Sequence, residues 1–230
     1  MSTTPFEWQS DDDRRAREEL LAAETALKDQ REEVAALRRS LPATVLEKEY
    51  EFEEGPADLA DERASGLRRT RLSELFSDGR SNLIVVHFMY GPDDDHPCPM
   101  CSMWADGYSA VARHVADKAD LVLVAKAQVG KFRAWGHKQG WTGLRLLSSR
   151  NNAFNADFGV EAEDGKAQYP GVSVFIRGDD GGTRHFYTGT AFLGSGHFRG
   201  LDLFTPVWHL FDLLPAGRGD WMPKTDYGEA

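Results

Sequence analysis

The sequence predicts an α/β protein with a mixed sheet flanked by helices and an added N-terminal amphipathic helix. Three observations predict it. Apolar runs typical of buried strands alternate with segments of helical spacing between residues 83 and 148. Two further strands follow around a turn at 179–182, and a long charged segment free of Pro and Gly lies before all of them. Alternating strands and helices favour a sheet with parallel strands, and the late hairpin adds antiparallel ones.

The first predicted element is a helix over residues 11–41. It begins with three aspartates, which suit a first turn, and Pro42 ends it. An apolar residue recurs every seven positions, at Leu20, Leu27, Val34 and Leu41. This spacing predicts one narrow apolar stripe. Two interpretations stay open: the stripe packs on the main domain, or it pairs with a second copy in a homodimer.

The domain boundaries are predicted from this helix and from the polar, glycine-rich end of the chain. We expect an N-terminal helical extension over 1–42, a main domain over 43–220 and a C-terminal tail over 221–230. Within the main domain, short apolar runs indicate strands, and apolar residues at helical spacing indicate helices. The predicted elements are, in order, a short strand at Tyr50 and Phe52, a helical piece over 72–76, a strand over 83–88, a helix over 102–118, a strand over 119–125, a helix over 131–138, a strand over 144–148, a short helix over 152–158, a strand over 170–176, a strand over 183–190 and a closing helix over 201–214.

Composition excludes several classes of function. The net charge is −10, and a chain this acidic, without a basic stripe, is poorly suited to bind nucleic acid or an anionic membrane surface. No apolar run approaches the roughly 20 residues that cross a bilayer. The first residues lack the pattern of a secretory signal, so we expect a cytoplasmic protein.

The two cysteines form a C-x-x-C motif, Cys98-Pro99-Met100-Cys101. The motif follows the predicted strand 83–88 and precedes the predicted helix, so it lies at a strand-to-helix junction. In the cytoplasm, standing disulfides are rare, and such a pair is typical of thiol redox chemistry. Two other interpretations remain: the thiols bind a metal, or they are inert core residues.

The position of each thiol predicts its role. Cys98 falls at the N-cap or first turn of a helix that starts near Pro99, where backbone N–H groups lower a thiol pKa. We therefore predict Cys98 as the nucleophile and Cys101, one turn further on, as the resolving thiol. The substrate would be a protein or small-molecule disulfide, or a peroxide in a peroxidase-like alternative. This chemistry requires no cofactor. In the metal-binding alternative, His96 and His87 complete the ligand set.

Three more residues are candidates for shaping the site. A protonated His96 would favour the Cys98 thiolate, whereas the neighbouring aspartates at 93–95 would oppose it. Trp104 is a candidate wall of a substrate groove, although core packing is the better default for a tryptophan at this position. Pro170 opens a buried strand, where a thiol site often places a loop beside its cysteines; a plain strand-starting proline is the alternative.

Several segments together resemble an uncharacterised bacterial family of predicted dithiol–disulfide oxidoreductases with a thioredoxin-like fold. The matching segments are 87–92, 98–106, 140–141, 155–160, 170–175 and 199–202. The resemblance spans roughly residues 40 to 220, and the charged N-terminal helix also occurs in that family. It implies a thioredoxin-like sheet with the dithiol at the start of its first core helix. It also implies that Pro170 corresponds to the cis-proline of that fold.

The chain departs from two better-known relatives of that fold. Its Pro99-Met100 pair replaces the Gly-Pro of the thioredoxin motif, and the loop before Cys98 is longer and acidic. The threonine-containing motif that precedes a peroxiredoxin's cysteine is absent from the sequence. The resemblance therefore supports the fold more strongly than any one reaction.

Overall fold

A computed structural model describes residues 10–61, 66–193, 200, 205–217 and 219–226. The chain forms two compact units, Met1–Pro42 and Ala43–Ala230. Among the described residues, no helix is long and apolar enough to cross a membrane. The cytoplasmic location stays a prediction.

The first unit contains helix α1, Asp11–Arg39, which confirms the predicted N-terminal helix. A capping box starts it: the Ser10 hydroxyl accepts from the Asp13 N–H at 3.1 Å, and the Asp13 carboxylate accepts from the Ser10 N–H at 3.2 Å. These bonds satisfy two N–H groups that an uncapped helix leaves free. Basic Arg38 and Arg39 in the last turn suit the negative end of the helix dipole. None of the side chains of α1 is buried.

The second unit contains a mixed sheet and four described helices. Its strands are β1 (Thr44–Val45), β2 (Glu51–Glu54), β3 (Arg68–Arg71), β4 (Asn82–His87), β5 (Asp120–Ala125), β6 (Arg145–Ser148), β7 (Gly171–Arg177) and β8 (Thr183–Thr190). Its helices are α2 (Pro99–Val115), α3 (Val129–Lys138), α4 (Phe154–Asp157) and α5 (Val207–Phe211), with a 3-10 turn at Leu72–Glu74.

The strands lie in the order β1-β8-β7-β4-β5-β6-β2-β3. β4, β5 and β6 are parallel, as crossovers through α2 and α3 require. β7 is antiparallel to β4 and forms the predicted hairpin with β8. The predicted mixed sheet flanked by helices is thus confirmed, and the dithiol helix leaves the central strand β4 as the thioredoxin-like arrangement requires.

Alternating side chains of the central strands feed two separate apolar clusters. On β4, Leu83 and Val85 belong to one cluster and Val86 to the other, and β5 alternates in the same way. The two clusters therefore lie on opposite faces of the sheet. We call the cluster that contains Cys101, Trp104 and Phe132 the dithiol face, and the cluster that contains Phe154 and Phe175 the opposite face.

The structure differs from the predicted elements at the edges of the sheet. Strands β1 and β3 were not predicted, because one has two residues and the other is Arg-Arg-Thr-Arg. The predicted helical piece at 72–76 is a 3-10 turn over Leu72–Glu74. The closing helix spans Val207–Phe211 with Pro206 at its N-cap, and residues 201–204 of the prediction lie outside the described residues.

Candidate functional site

Helix α2 begins at the dithiol. Cys98 is its N-cap residue, and Pro99 occupies the first helical position, where its missing N–H is no loss. The Cys98 N–H donates to the Met89 carbonyl at 3.1 Å, which ties the helix start to the end of β4. The Cys98 carbonyl accepts the first helical bond from the Ser102 N–H, also at 3.1 Å. These two bonds therefore fix the backbone of Cys98 at the start of α2.

The acidic loop between β4 and α2 is held by its own contacts. The Asp94 carboxylate accepts from the Gly91 N–H at 2.7 Å, and the Lys131 amine of α3 contacts the Asp94 carbonyl. The Tyr90 carbonyl accepts from the Ala127 N–H at 2.8 Å, just beyond β5. All three aspartates at 93–95 are nevertheless exposed.

The two thiols differ in exposure and in acidity. Both are free; Cys98 is half-buried and Cys101 is 3% exposed. A hydrogen bond from the Cys101 thiol lowers the pKa of Cys98 to about 6, with help from the backbone N–H groups of Cys101 and Met100 and against the effect of burial. The same hydrogen bond, burial and the charge of Cys98 raise the pKa of Cys101 well above its ordinary value. At neutral pH the pair therefore holds its negative charge on Cys98, the more accessible sulfur.

A cavity of about 220 Å³ opens beside the two sulfurs. Trp104 and Pro170 line it together with both cysteines, so the structure brings four of the five predicted site residues to one place. Trp104 lies one turn after Cys101 on α2, and Pro170 lies immediately before β7, the antiparallel neighbour of β4.

The peptide bond before Pro170 is trans, since the described residues contain no cis bond. The expected cis-proline is therefore wrong for this chain. The trans form is the ordinary state of an X–Pro bond. It fits the extended surroundings, where the Tyr169 N–H donates to the Val160 carbonyl at 2.8 Å and Gly171 pairs with His87 in β4.

His96, the fifth candidate, lies outside the cavity. It is exposed, and its ring centroid is 6.5 Å from that of Trp135. His87, invoked for a metal site, is buried on the opposite face and stacks on Phe154 at 5.5 Å. Within the described part of the chain, no three His, Cys, Asp or Glu side chains are placed to hold a metal ion.

Two polar atoms near the dithiol lack a hydrogen-bond partner among the described residues. They are the indole N–H of Trp104, a residue 2% exposed, and the hydroxyl of Tyr108. Burial, together with the charge of Cys101, raises the pKa of Tyr108. Both residues follow Cys101 at helical spacing, by three and seven positions, so they share its face of α2. Tyr108 was not predicted as a site residue, although this spacing was a usable signal.

A family model described as "Bacterial protein of unknown function (DUF899)" matches residues 3–228, nearly the whole chain. The chain belongs to this family. The match confirms the resemblance found from the motifs. No curated protein matches this chain.

Solved structures similar to this DUF899 chain include three bacterial proteins. Peroxidoxin BcpB from Mycobacterium tuberculosis is 19% identical, with 71% of this chain and 93% of that chain covered and a TM-score of 0.48. A putative thioredoxin reductase from Burkholderia cenocepacia is 16% identical, with coverage of 68% and 91% and a TM-score of 0.49. AhpC from Enterococcus faecalis is 16% identical, with coverage of 80% and 99% and a TM-score of 0.47.

Proposed function

We propose that this chain is a thiol–disulfide oxidoreductase in which Cys98 is the nucleophile and Cys101 the resolving thiol. One observation supports the proposal: beside a cavity, the pKa of one thiol is lowered and the pKa of the other is raised. The lowered pKa of Cys98 supplies a thiolate near neutral pH, and Cys98 is the less buried sulfur. Because the pKa of Cys101 is raised, the Cys101 thiol stays protonated while the Cys98 thiolate attacks the substrate.

The reaction proceeds by two exchanges. The Cys98 thiolate attacks one sulfur of the substrate disulfide, the S–S bond breaks, and the first substrate thiol leaves with a proton from solvent. Formation of the mixed disulfide removes the charge of Cys98, which is one cause of the raised Cys101 pKa. Cys101 then loses its proton, attacks the Cys98 sulfur and expels the second substrate thiol. Two electrons pass from the dithiol to the substrate, and a Cys98–Cys101 disulfide remains.

A thiol peroxidase is the second candidate, because the lowered pKa of Cys98 also supplies the thiolate that attacks a peroxide oxygen. However, the leaving group in this reaction is an oxygen anion, and water has a pKa of about 15.7. The described residues lining the cavity include no charged side chain to stabilise such a leaving group. A thiolate leaves far more readily, so the disulfide reaction fits the site better.

The first prediction tests the two thiol roles. Reduced protein is mixed with bis(2-hydroxyethyl) disulfide, and dithiol oxidation is followed in a single turnover. Cys98→Ser should slow the reaction by several orders of magnitude, as loss of a nucleophile does in other enzymes. Cys101→Ser should react but stop at a mixed disulfide, visible in the intact mass as one added substrate thiol on Cys98.

The matched pair of serine variants makes this test decisive. If Cys98→Ser reacts at the wild-type rate, or if the trapped thiol lies on another residue, the assignment is wrong. If hydrogen peroxide oxidises Cys98 far faster than the disulfide does, the peroxidase is the better description.

A further inference from the structure

The wall of the dithiol cavity is apolar apart from the sulfurs. Besides the four residues already described, its described lining includes Met89, Met100, Ala191, Phe192, Met222 and Pro223. No described lining residue has a charged side chain, and the Trp104 Nε1 is itself a buried atom. The cavity volume, about 220 Å³, is smaller than the roughly 300–1,000 Å³ of sites for drug-sized ligands. A group of a few carbon atoms fits there, and a large ligand does not.

The mouth of the cavity continues this apolar surface. Phe192 is 47% exposed, Met222 is 53% exposed, and Tyr169 packs edge-on against Phe192 with ring centroids 6.2 Å apart. Exposed apolar side chains grouped at a cavity are typical of a binding surface rather than of ordinary surface. An apolar substituent therefore stays in contact with apolar side chains from the mouth to the sulfurs.

The described lining of the cavity offers nothing that attracts an anionic substrate. The chain carries a net charge of −10, the exposed aspartates at 93–95 precede Cys98 in the sequence, and no described lining residue is a cation. A carboxylate entering the cavity would lose water without gaining a cation from the described lining, which is costly. Disulfides with carboxylate groups, such as glutathione disulfide, are therefore poorly matched to this site.

We propose that the cavity selects small, uncharged disulfides with apolar alkyl or aryl substituents. This inference rests on the proposed disulfide exchange and adds the substrate class. When Cys98 attacks R–S–S–R, the R group that stays on Cys98 occupies the cavity, and the other leaves as RSH. Cys101 then displaces the retained group as a second RSH, so that the two electrons of the dithiol reduce one disulfide to two thiols.

The experiment compares three symmetric alkyl disulfides with the reduced full-length chain. They are dipropyl disulfide, which is uncharged, 3,3′-dithiodipropionate, which is anionic, and cystamine, which is cationic. Each single-turnover rate is divided by the rate of free dithiothreitol with the same disulfide, which corrects for intrinsic reactivity. Dipropyl disulfide should exceed dithiodipropionate by at least about tenfold, because the two substituents share two methylene groups and only the carboxylate must lose water without gaining a cation.

Variants at the mouth connect the preference to this cavity. Phe192→Ser with Met222→Ser should lower the normalised dipropyl rate by about tenfold and the dithiodipropionate rate by less, because the lost contacts are apolar. Leu213→Ser is the matched control, since Leu213 is also an exposed apolar residue, at 77%, but does not line the cavity.

The outcomes separate the two proposals. If no disulfide oxidises the dithiol, the proposed function fails. If all three disulfides react at equal normalised rates, or if cystamine is fastest, the exchange stands but the apolar substrate class is wrong. A preference for dipropyl disulfide that survives the double substitution also overturns the assignment to this cavity.

Discussion

Cys98 and Cys101 show how one hydrogen bond separates two chemically identical side chains. The Cys101 thiol donates to Cys98, so the bond favours the charged form of one sulfur and the protonated form of the other. Burial would raise the pKa of both thiols, yet the pKa of Cys98 falls because three donors outweigh burial. The dithiol is therefore already polarised before any substrate arrives.

The acidity of Cys98 gives a second prediction. The rate of Cys98 alkylation by iodoacetamide should rise with pH around a midpoint near 6, because the thiolate is the reactive form. Cys101→Ala removes the donor thiol and should shift this midpoint upward. Cys101→Ser keeps a hydroxyl donor and should shift it less. Equal midpoints in wild type and Cys101→Ala would show that Cys101 does not set the pKa.

His87 gives a third prediction, for stability. Burial, with a contribution from the charge of His185, lowers the pKa of His87 to about 3 from 6.5. Between these pH values the unfolded chain binds a proton that the folded chain excludes, so stability falls as the pH is lowered. From pH 7.5 to pH 5, His87 should cost about 2 kcal/mol of unfolding free energy, measured in urea titrations.

The control for this prediction is another histidine. His87→Gln should reduce the acid sensitivity by that amount, whereas His137→Gln should leave it unchanged because His137 is exposed on α3. The His87 variant also loses the contact between Nε2 and the Ser173 hydroxyl at 2.7 Å, so only the difference between the two pH values is informative. Equal acid sensitivity in His87→Gln and wild type would contradict the prediction.

At the scale of elements, helix α2 follows directly from its sequence. A proline suits only the first turn of a helix, so Pro99 places the helix start, and the start places Cys98 at the N-cap. The apolar runs of β4 and β5 were equally readable, because both faces of these strands are buried. These elements carry the dithiol, which explains why its position was predictable.

Strand β3 shows why other elements were not predicted. It has three arginines and one threonine, without an apolar run. Its partner β2 carries three glutamates, and Glu51 pairs with Arg71 and Glu53 with Arg69 across the two strands. The buried Glu54 also accepts hydrogen bonds from Arg68, Arg145 and Thr70. The glutamates of β2 stabilise β3 by pairing with its arginines. The sequence of β3 alone does not show these partners.

The N-terminal helix gives a fourth prediction. From its heptad spacing, we propose that α1 pairs with α1 of a second copy. Light scattering after gel filtration should give twice the mass of one chain. Leu27→Lys, on the apolar stripe, should shift the mass toward that of one chain, whereas Thr25→Lys should not, because Thr25 lies opposite the stripe in the heptad. A wild-type chain that is monomeric would contradict the proposal.

At the scale of the whole molecule, the sequence predicted a mixed sheet and placed Trp104 and Pro170 near the dithiol, but it did not predict the other walls of the cavity. The C-x-x-C spacing identifies the cysteines as a candidate site from the sequence alone. Ala191, Phe192, Met222 and Pro223 reach the cavity from segments 90 to 125 positions away in the chain, as the numbering shows. The end of β8 is brought there because β8 follows β7, which lies beside β4. Topology, and no local motif, decides which side chains surround the dithiol.

The separation of the two clusters by the sheet also divides the chain's fluorophores. Trp104, Trp135, Trp141 and Trp208 are buried on the dithiol face, and Trp221 packs against the same cluster, whereas the opposite face is built from Phe, Tyr and aliphatic residues. Every tryptophan within the described residues thus reports from one side of the sheet. The emission of these five indoles therefore reports on the thiol half of the molecule, and changes around His87 must be followed by other signals.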